Sequence, residues 1–189
     1  MIFEVLKVIT EEVNTYLKTN AVTLDNIANL DQDGDGDSSG IILTLLNMQE
    51  EFALKNRSNH RVSGTEVTYQ NPKVSLNLYI LFSGSNSTYT EALKSISKVL
   101  LFFQGKRVFT QSNTNFQRDD DEMKNLKNFK FIVDLFTPSF EELNFIWGTL
   151  GGKQFPSAIY KVSLIEIERE ATLRKGAVIS GLGTNLNNN

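Results

Sequence analysis

The densest set of potential metal ligands is DQDGDGDSSG, residues 31–40, in which Asp31, Asp33, Asp35 and Asp37 alternate with uncharged residues and Gly36 holds the sixth position. Such a run suits the first half of a helix-loop-helix calcium loop: alternate carboxylates converge on one hard cation, and the glycine permits the sharp turn. The second half fails. Position twelve falls on Ile42, where a bidentate glutamate is needed, and the following IILTLLNMQEEF has the character of a strand instead of an exiting helix. A solvated acidic turn is the favoured reading, a weak calcium loop the other, and no metal or other cofactor is assigned.

Other chemistry is scarcer. His60 is the only histidine and lies in a polar loop, and there is no cysteine. A serine–histidine–acid triad needs a buried, oriented imidazole, and the usual zinc sites need thiolates or several imidazoles. Gly151-Gly152-Lys153 follows a helical pattern instead of opening one, so it lacks the helix N-terminus that faces a bound phosphate. The run Asp119, Asp120, Asp121, Glu122 reads as a solvated face. No catalytic residues are assigned, and the chain is not expected to be an enzyme.

The elements that would position any site centre on residues 71–106. Val74, Leu76, Leu78, Ile80 and Phe82 alternate with Ser75, Asn77, Tyr79 and Leu81, the period of a strand. Tyr79 and Leu81 make the second face partly apolar, so the strand is expected inside the sheet, packed on both sides. Thr88 and Glu91 form a capping-box pair, and Tyr89, Ala92, Leu93, Ile96, Val99, Leu100 and Phe103 share a helical face before Gly105. Upstream, residues 2–17 carry a helical apolar stripe. A long strand is expected from Ile41 to Phe52, continuing toward Leu54, and a short one at Glu66–Tyr69, the loop between them forming a hairpin tip. Downstream come a short strand at Arg107–Thr110, a strand at Phe129–Phe136 and a last strand at Ser157–Glu168. Between the last two, Pro138 opens a helix with Phe140, Leu143, Trp147 and Leu150 on its apolar stripe, Trp147 serving as a core anchor.

This order predicts an α+β fold: a single domain over residues 1–170 with a mostly antiparallel central sheet flanked by helices, and a flexible C-terminal tail over 171–189. At 189 residues, 40% hydrophobic and 22% charged, the composition is that of a soluble globular chain able to bury a core. The net charge of −3 gives no reason to expect nucleic acid, and no apolar run reaches the ~18 residues of a membrane span. The opening MIFEVLKVITEEV carries Glu4, Glu11 and Glu12 and does not read as a signal peptide, which suggests cytoplasmic synthesis.

The pieces IFEVLKVITEEVNTYL, IILTLLNMQEEFALKN, NPKVSLNLYILFS, YTEALKSISKVLLFFQGK and WGTLGGKQFPSAIYKV, in that order over roughly residues 1–170, resemble the tail-terminator, or cap, proteins of phage-tail-like extracellular contractile injection systems of the antifeeding-prophage type. The resemblance implies a structural protein: a homo-oligomeric ring, generally a hexamer, on the distal end of the inner tube and contractile sheath. Such a ring ends polymerisation, couples tube to sheath, and forms part of a particle that is released from the cell or anchored to a membrane. Its implied partners are further copies of the chain, sheath and inner-tube proteins, with strand addition to a sheet edge as the expected docking mode. From exposure arguments alone, contact residues are expected at Ile2, Val5 and Ile9 of the first helix, at Arg57 and Arg61 of the hairpin tip, and in the tail after Glu170. The alternative is a monomeric adaptor or calcium-modulated binding module that uses the Asp31–Asp37 loop.

Overall fold

A computed structural model of the chain describes residues 1–19, 21–30, 40–54, 60–63, 66–71, 73–117, 123, 129–167 and 172–177. The first helix, α1 (Ile2–Leu17), buries Val5, Leu6, Val8, Ile9 and Val13 at three- and four-residue spacing. It stops at Lys18, which turns into the left-handed region (φ 56°, ψ 31°), where the amides of Lys18 and Thr19 close on the carbonyls of Thr15 and Asn14.

Six strands form the main sheet in the spatial order β1 (Val22–Leu24), β2 (Gly40–Glu50), β5 (Val74–Ser85), β8 (Ser157–Ile167), β7 (Lys130–Phe136), β6 (Val108–Thr110). The pairs β2/β5, β7/β8 and β6/β7 are antiparallel, whereas β1 runs parallel to β2 with Val22 opposite Ile41. The expected α+β architecture is therefore present, with a mixed sheet. A parallel pair requires the chain to cross back between β1 and β2, and a 3₁₀ turn at Ile27–Asn29 lies within that connection.

The sheet is covered on both faces, and the alternation of β5 decides how. Leu78, Ile80 and Phe82 join a large cluster with Val5, Ile9 and Val13 of α1 and with Ile96, Val99 and Phe103 of α2 (Tyr89–Gly105). Leu81 belongs instead to a second cluster with Ile27, Ile42, Ile159 and Trp147 of α3 (Phe140–Thr149). The large cluster is strongly aromatic. Phe103 meets Phe82 at 5.5 Å and Tyr160 at 4.4 Å, and Phe109 stacks on Phe131 at 5.0 Å. Each such side chain contributes roughly 1.5–3 kcal/mol through burial, so this face carries much of the stability.

Two glycines are dictated by close approach. A Cβ on Gly40 would lie 2.6 Å from the carbonyl oxygen of Ala21, and one on Gly84 would lie 3.0 Å from the carbonyl oxygen of Ala92 in α2. Backbone packs against backbone at both points.

Residues 51–75 and 166–189 make up a second compact unit, distinct from residues 1–50 and 76–165. It contains a three-stranded antiparallel sheet in the order β3 (His60–Ser63), β4 (Glu66–Gln70), β9 (Thr172–Ala177). The amide of Glu51 donates to the carbonyl of Ser75 at 2.8 Å where the chain enters and leaves this segment. The strand expected to continue toward Leu54 ends at Glu50, and Phe52–Leu54 forms a 3₁₀ turn. Strand β9 falls inside the stretch read as a flexible tail, because its backbone is held by β4 and not by an apolar pattern of its own. Truncation after residue 170 therefore removes a paired strand.

Candidate interaction surface

The described residues contain no group of three or more histidine, cysteine, aspartate or glutamate side chains able to hold a metal ion. Asp31, Asp33, Asp35 and Asp37 lie outside the described residues, as does Arg57. His60 is exposed on β3, its ring 6.1 Å from that of Tyr69. Gly151 and Gly152 have φ of 100° and 78°, and the amide of Gly152 donates to the carbonyl of Trp147 at 2.8 Å. That glycine pair is a helix stop, as its position after the helical pattern indicates.

The expected contact residues separate. Val5 and Ile9 are 1% and 0% exposed within the large cluster, so their faces are taken up inside the subunit and are not offered to a neighbour. Ile2 is half-buried against the same cluster, and the exposed apolar residues of α1 are Phe3 and Tyr16. A helical stripe this close to a sheet is drawn into the core because burial there removes the most apolar area from water. Arg61 is placed on β3 opposite Thr68.

The structure shows a different surface, built on α3 and the strands beside it. Ser139 caps the helix: its hydroxyl accepts from the amide of Glu142 at 3.2 Å, and the Glu142 carboxylate accepts from the amide of Ser139 at 2.8 Å. This box fixes Phe140 as the first helical residue, ahead of the stripe that reaches the sheet. Phe140, expected on the buried stripe, is consequently 92% exposed, while Leu143, Trp147 and Leu150 pack inward. Trp147 is the core anchor expected, 5% exposed and 6.0 Å from the ring of Phe155.

Phe140 stands at one wall of a groove of about 680 Å³ that Tyr89, Leu100, Leu135, Phe136, Pro138 and Phe155 also line. Among the described residues, no carboxylate, ammonium, guanidinium or imidazole group lines it. Phe145, further along α3, is 65% exposed in a neighbouring depression lined by apolar residues such as Tyr79 and Phe136 and by the polar Asn47, Gln49 and Glu142. Exposed apolar side chains such as Phe140 in this groove are costly in water, which makes the groove a candidate docking surface. Sequence reasoning missed it because helical periodicity put Phe140 on the inward face and said nothing of Phe145.

The cation-and-carboxylate features lie elsewhere and are structural. Glu12, 6% exposed on α1, accepts from Nζ of Lys106 at 2.6 Å and from the amide of Asn115, binding the helix to the turn after β6. Arg107 pairs with Asp134 at the sheet's outer side.

With this geometry in place, comparison with known families is decisive. A family model described as the Pvc16 N-terminal domain matches residues 4–181. The chain belongs to that family. The assignment agrees with the resemblance to tail terminators carried by its ordered sequence pieces. No curated protein matches by sequence. Among solved structures, the fold is similar to that of the sheath/tube terminator of an extracellular contractile injection system, PVC, in the extended state. The likeness covers 100% of this chain and 64% of that one, with a TM-score of 0.67 and 14% identity. It is also similar to the tube-terminating cap of the anti-feeding prophage, covering 93% of this chain and 59% of that one, with a TM-score of 0.61 and 16% identity. The chain thus spans less than two thirds of the length of either protein, and at these identities the likeness establishes the shared fold.

Proposed function

We propose that this member of the Pvc16 N-terminal domain family is a structural terminator. It sits on the distal end of the inner tube and contractile sheath of an injection particle, ends their growth and couples the two layers. The observation that carries the reading is the match of the whole described fold to a sheath/tube terminator and of most of it to a tube-terminating cap, together with the family match over residues 4–181. The surface chemistry is compatible with it: Phe140 of α3 stands exposed in an apolar groove suited to protein contact.

Termination follows from asymmetry. Copies joined head to tail close into a ring when the rotation between them closes, and a hexamer is the stoichiometry the resemblance implies. One ring face then matches the last tube layer while the opposite face offers no acceptor for another. The particle is made in the cytoplasm and acts after release or membrane anchoring.

The test is removal of the gene product followed by electron microscopy of the particles. Barrels of irregular length with open distal ends support termination; particles of normal length and closed ends rule it out.

A further inference from the structure

An unpaired sheet edge attracts other strands, and in the main sheet an asparagine side chain caps part of each outermost strand. At β1 the capped outward-facing residue is Val22. Its amide donates to Oδ1 of Asn14 at 2.8 Å, and its carbonyl accepts from Nδ2 of the same side chain at 3.0 Å. At β6 the same device recurs: Oδ1 of Asn113 accepts from the amide of Thr110 at 2.8 Å, and its Nδ2 donates to the carbonyl of Val108 at 3.0 Å. Each asparagine amide stands in for the neighbouring strand.

Strand β7 outruns this protection. Its partner β6 covers only Lys130 to Ile132, and Arg107 adds one bond, its carbonyl accepting from the amide of Val133 at 2.8 Å. Outward-facing backbone recurs at every second residue of an antiparallel strand, so the next outward position is Leu135. Among the described residues none hydrogen-bonds its outward amide or carbonyl, whereas Asp134 and Phe136 on either side are paired with Lys161 and Ile159 of β8. The Leu135 side chain, 58% exposed, lines the apolar groove beside Phe140.

We propose that this stretch of β7, Asp134–Phe136, with the groove beside it, docks an extended, uncharged, apolar peptide segment from another polypeptide, added as a short strand. The open ladder position selects an extended backbone. The absence of charged groove lining selects an uncharged segment, because a charge there would lose its hydration without gaining a partner. Arg107 and Asp134, the charged residues nearest along the strand pair, neutralise each other. Area selects a segment over a second globular copy: the exposed side chains of Tyr89, Leu100, Leu135 and Phe140 offer only a few hundred Å², against roughly 800 Å² per partner in a stable interface.

The test uses the full chain and two blocked heptapeptides, one alternating valine and leucine with threonine, the other carrying lysine and glutamate in place of the apolar residues. The neutral peptide is expected to slow amide exchange at Leu135 about tenfold at saturation, and the charged peptide to leave it unchanged. Leu135→Pro removes the outward N–H and leaves the β7/β8 ladder, since proline is tolerated where the amide of an edge strand faces solvent. It is expected to abolish binding of the labelled neutral peptide, read by fluorescence anisotropy, at unchanged Tm. Should that variant not fold, Phe140→Ser, at a fully solvated position, must weaken binding at least fivefold. Protection by neither peptide, equal protection by both, unchanged binding to the folded variant, or pairing of two chains through this edge would each overturn the proposal. Because the assay needs no tube or sheath, its failure is separate from failure of the terminator reading.

Discussion

Glu12→Ala tests whether α1 is anchored electrostatically as well as by its apolar stripe. The wild-type carboxylate is 6% exposed and has two partners: Nζ of Lys106 at 2.6 Å and the amide of Asn115. Truncation orphans the Asn115 amide and leaves Lys106 with the carbonyl of Asn113, also at 2.6 Å. A hydrogen bond to a charged group contributes about 1.5–3 kcal/mol, and breaking a buried ion pair by removing one partner costs about 3–5 kcal/mol. The Lys106 side chain is 24% exposed and keeps one acceptor, which places the expected loss at the lower end, about 3 kcal/mol. With a slope near 2 kcal/mol per molar urea, the midpoint falls by about 1.5 M. Trp147 is the only tryptophan and lies in the same compact unit, so its fluorescence reports the relevant transition. Pairing the change with Lys106→Met in a double-mutant cycle is expected to give a coupling of about 1–2 kcal/mol. A midpoint shift below about 0.5 M with no coupling would refute the anchoring argument.

Gly40→Ala places a Cβ 2.6 Å from the Ala21 carbonyl oxygen, and is expected to loosen β1 from β2 at a cost of about 1–3 kcal/mol by urea titration; an unchanged midpoint would contradict the close approach. Asn14→Ala removes the cap on Val22 and is expected to raise self-association in sedimentation velocity as well as lower Tm; a destabilised variant that stays monodisperse like the wild type would show that the cap does not guard the edge. Burial pushes the Tyr160 phenol up to about 12 from its ordinary value of 10.0. The unfolded chain therefore loses this proton first, so the contribution to stability is intact below pH 10 and is lost as pH rises toward 12. Tyr160→Phe is expected to flatten that limb of the stability–pH curve, and an unaltered limb would assign it to other groups. Calorimetric titration of the full chain with calcium is expected to give dilution heats alone, and a saturable heat abolished by Asp33→Asn would restore the calcium-loop reading.

Where periodicity and burial coincide, the sequence was a sufficient guide. The alternation of Val74 to Phe82 located a central strand packed on both faces, and Thr88 with Glu91 located the start of α2, where the Thr88 hydroxyl accepts from the Glu91 amide at 3.3 Å. Trp147 was placed correctly because an aromatic in the middle of a helical stripe has few alternatives to the core. Strands held by hydrogen bonds more than by apolar contacts were not legible. Three-residue β1 carries too little pattern to announce itself, and β9, TLRKGA, is polar and glycine-containing, made a strand by β4 alone. The surface was the least legible part. Val5 and Ile9 read as available but are buried, whereas Phe140 reads as buried but is held at the exposed helix start by the capping box at Ser139. Asn14 and Asn113 could not have been singled out, since an asparagine that caps a sheet edge has no spacing signature and depends on chain neighbours brought together only by the fold.

The terminator role proposed for this chain requires that it stop a growing barrel. The most direct measurement adds increasing amounts of the purified chain to inner-tube and sheath proteins as they polymerise, and reads barrel length and end density by cryo-electron microscopy. The account predicts barrels that shorten as the ratio rises, each with a closed ring of this chain at one end only. A length distribution independent of the amount added, with the chain bound along the walls or nowhere, would contradict it.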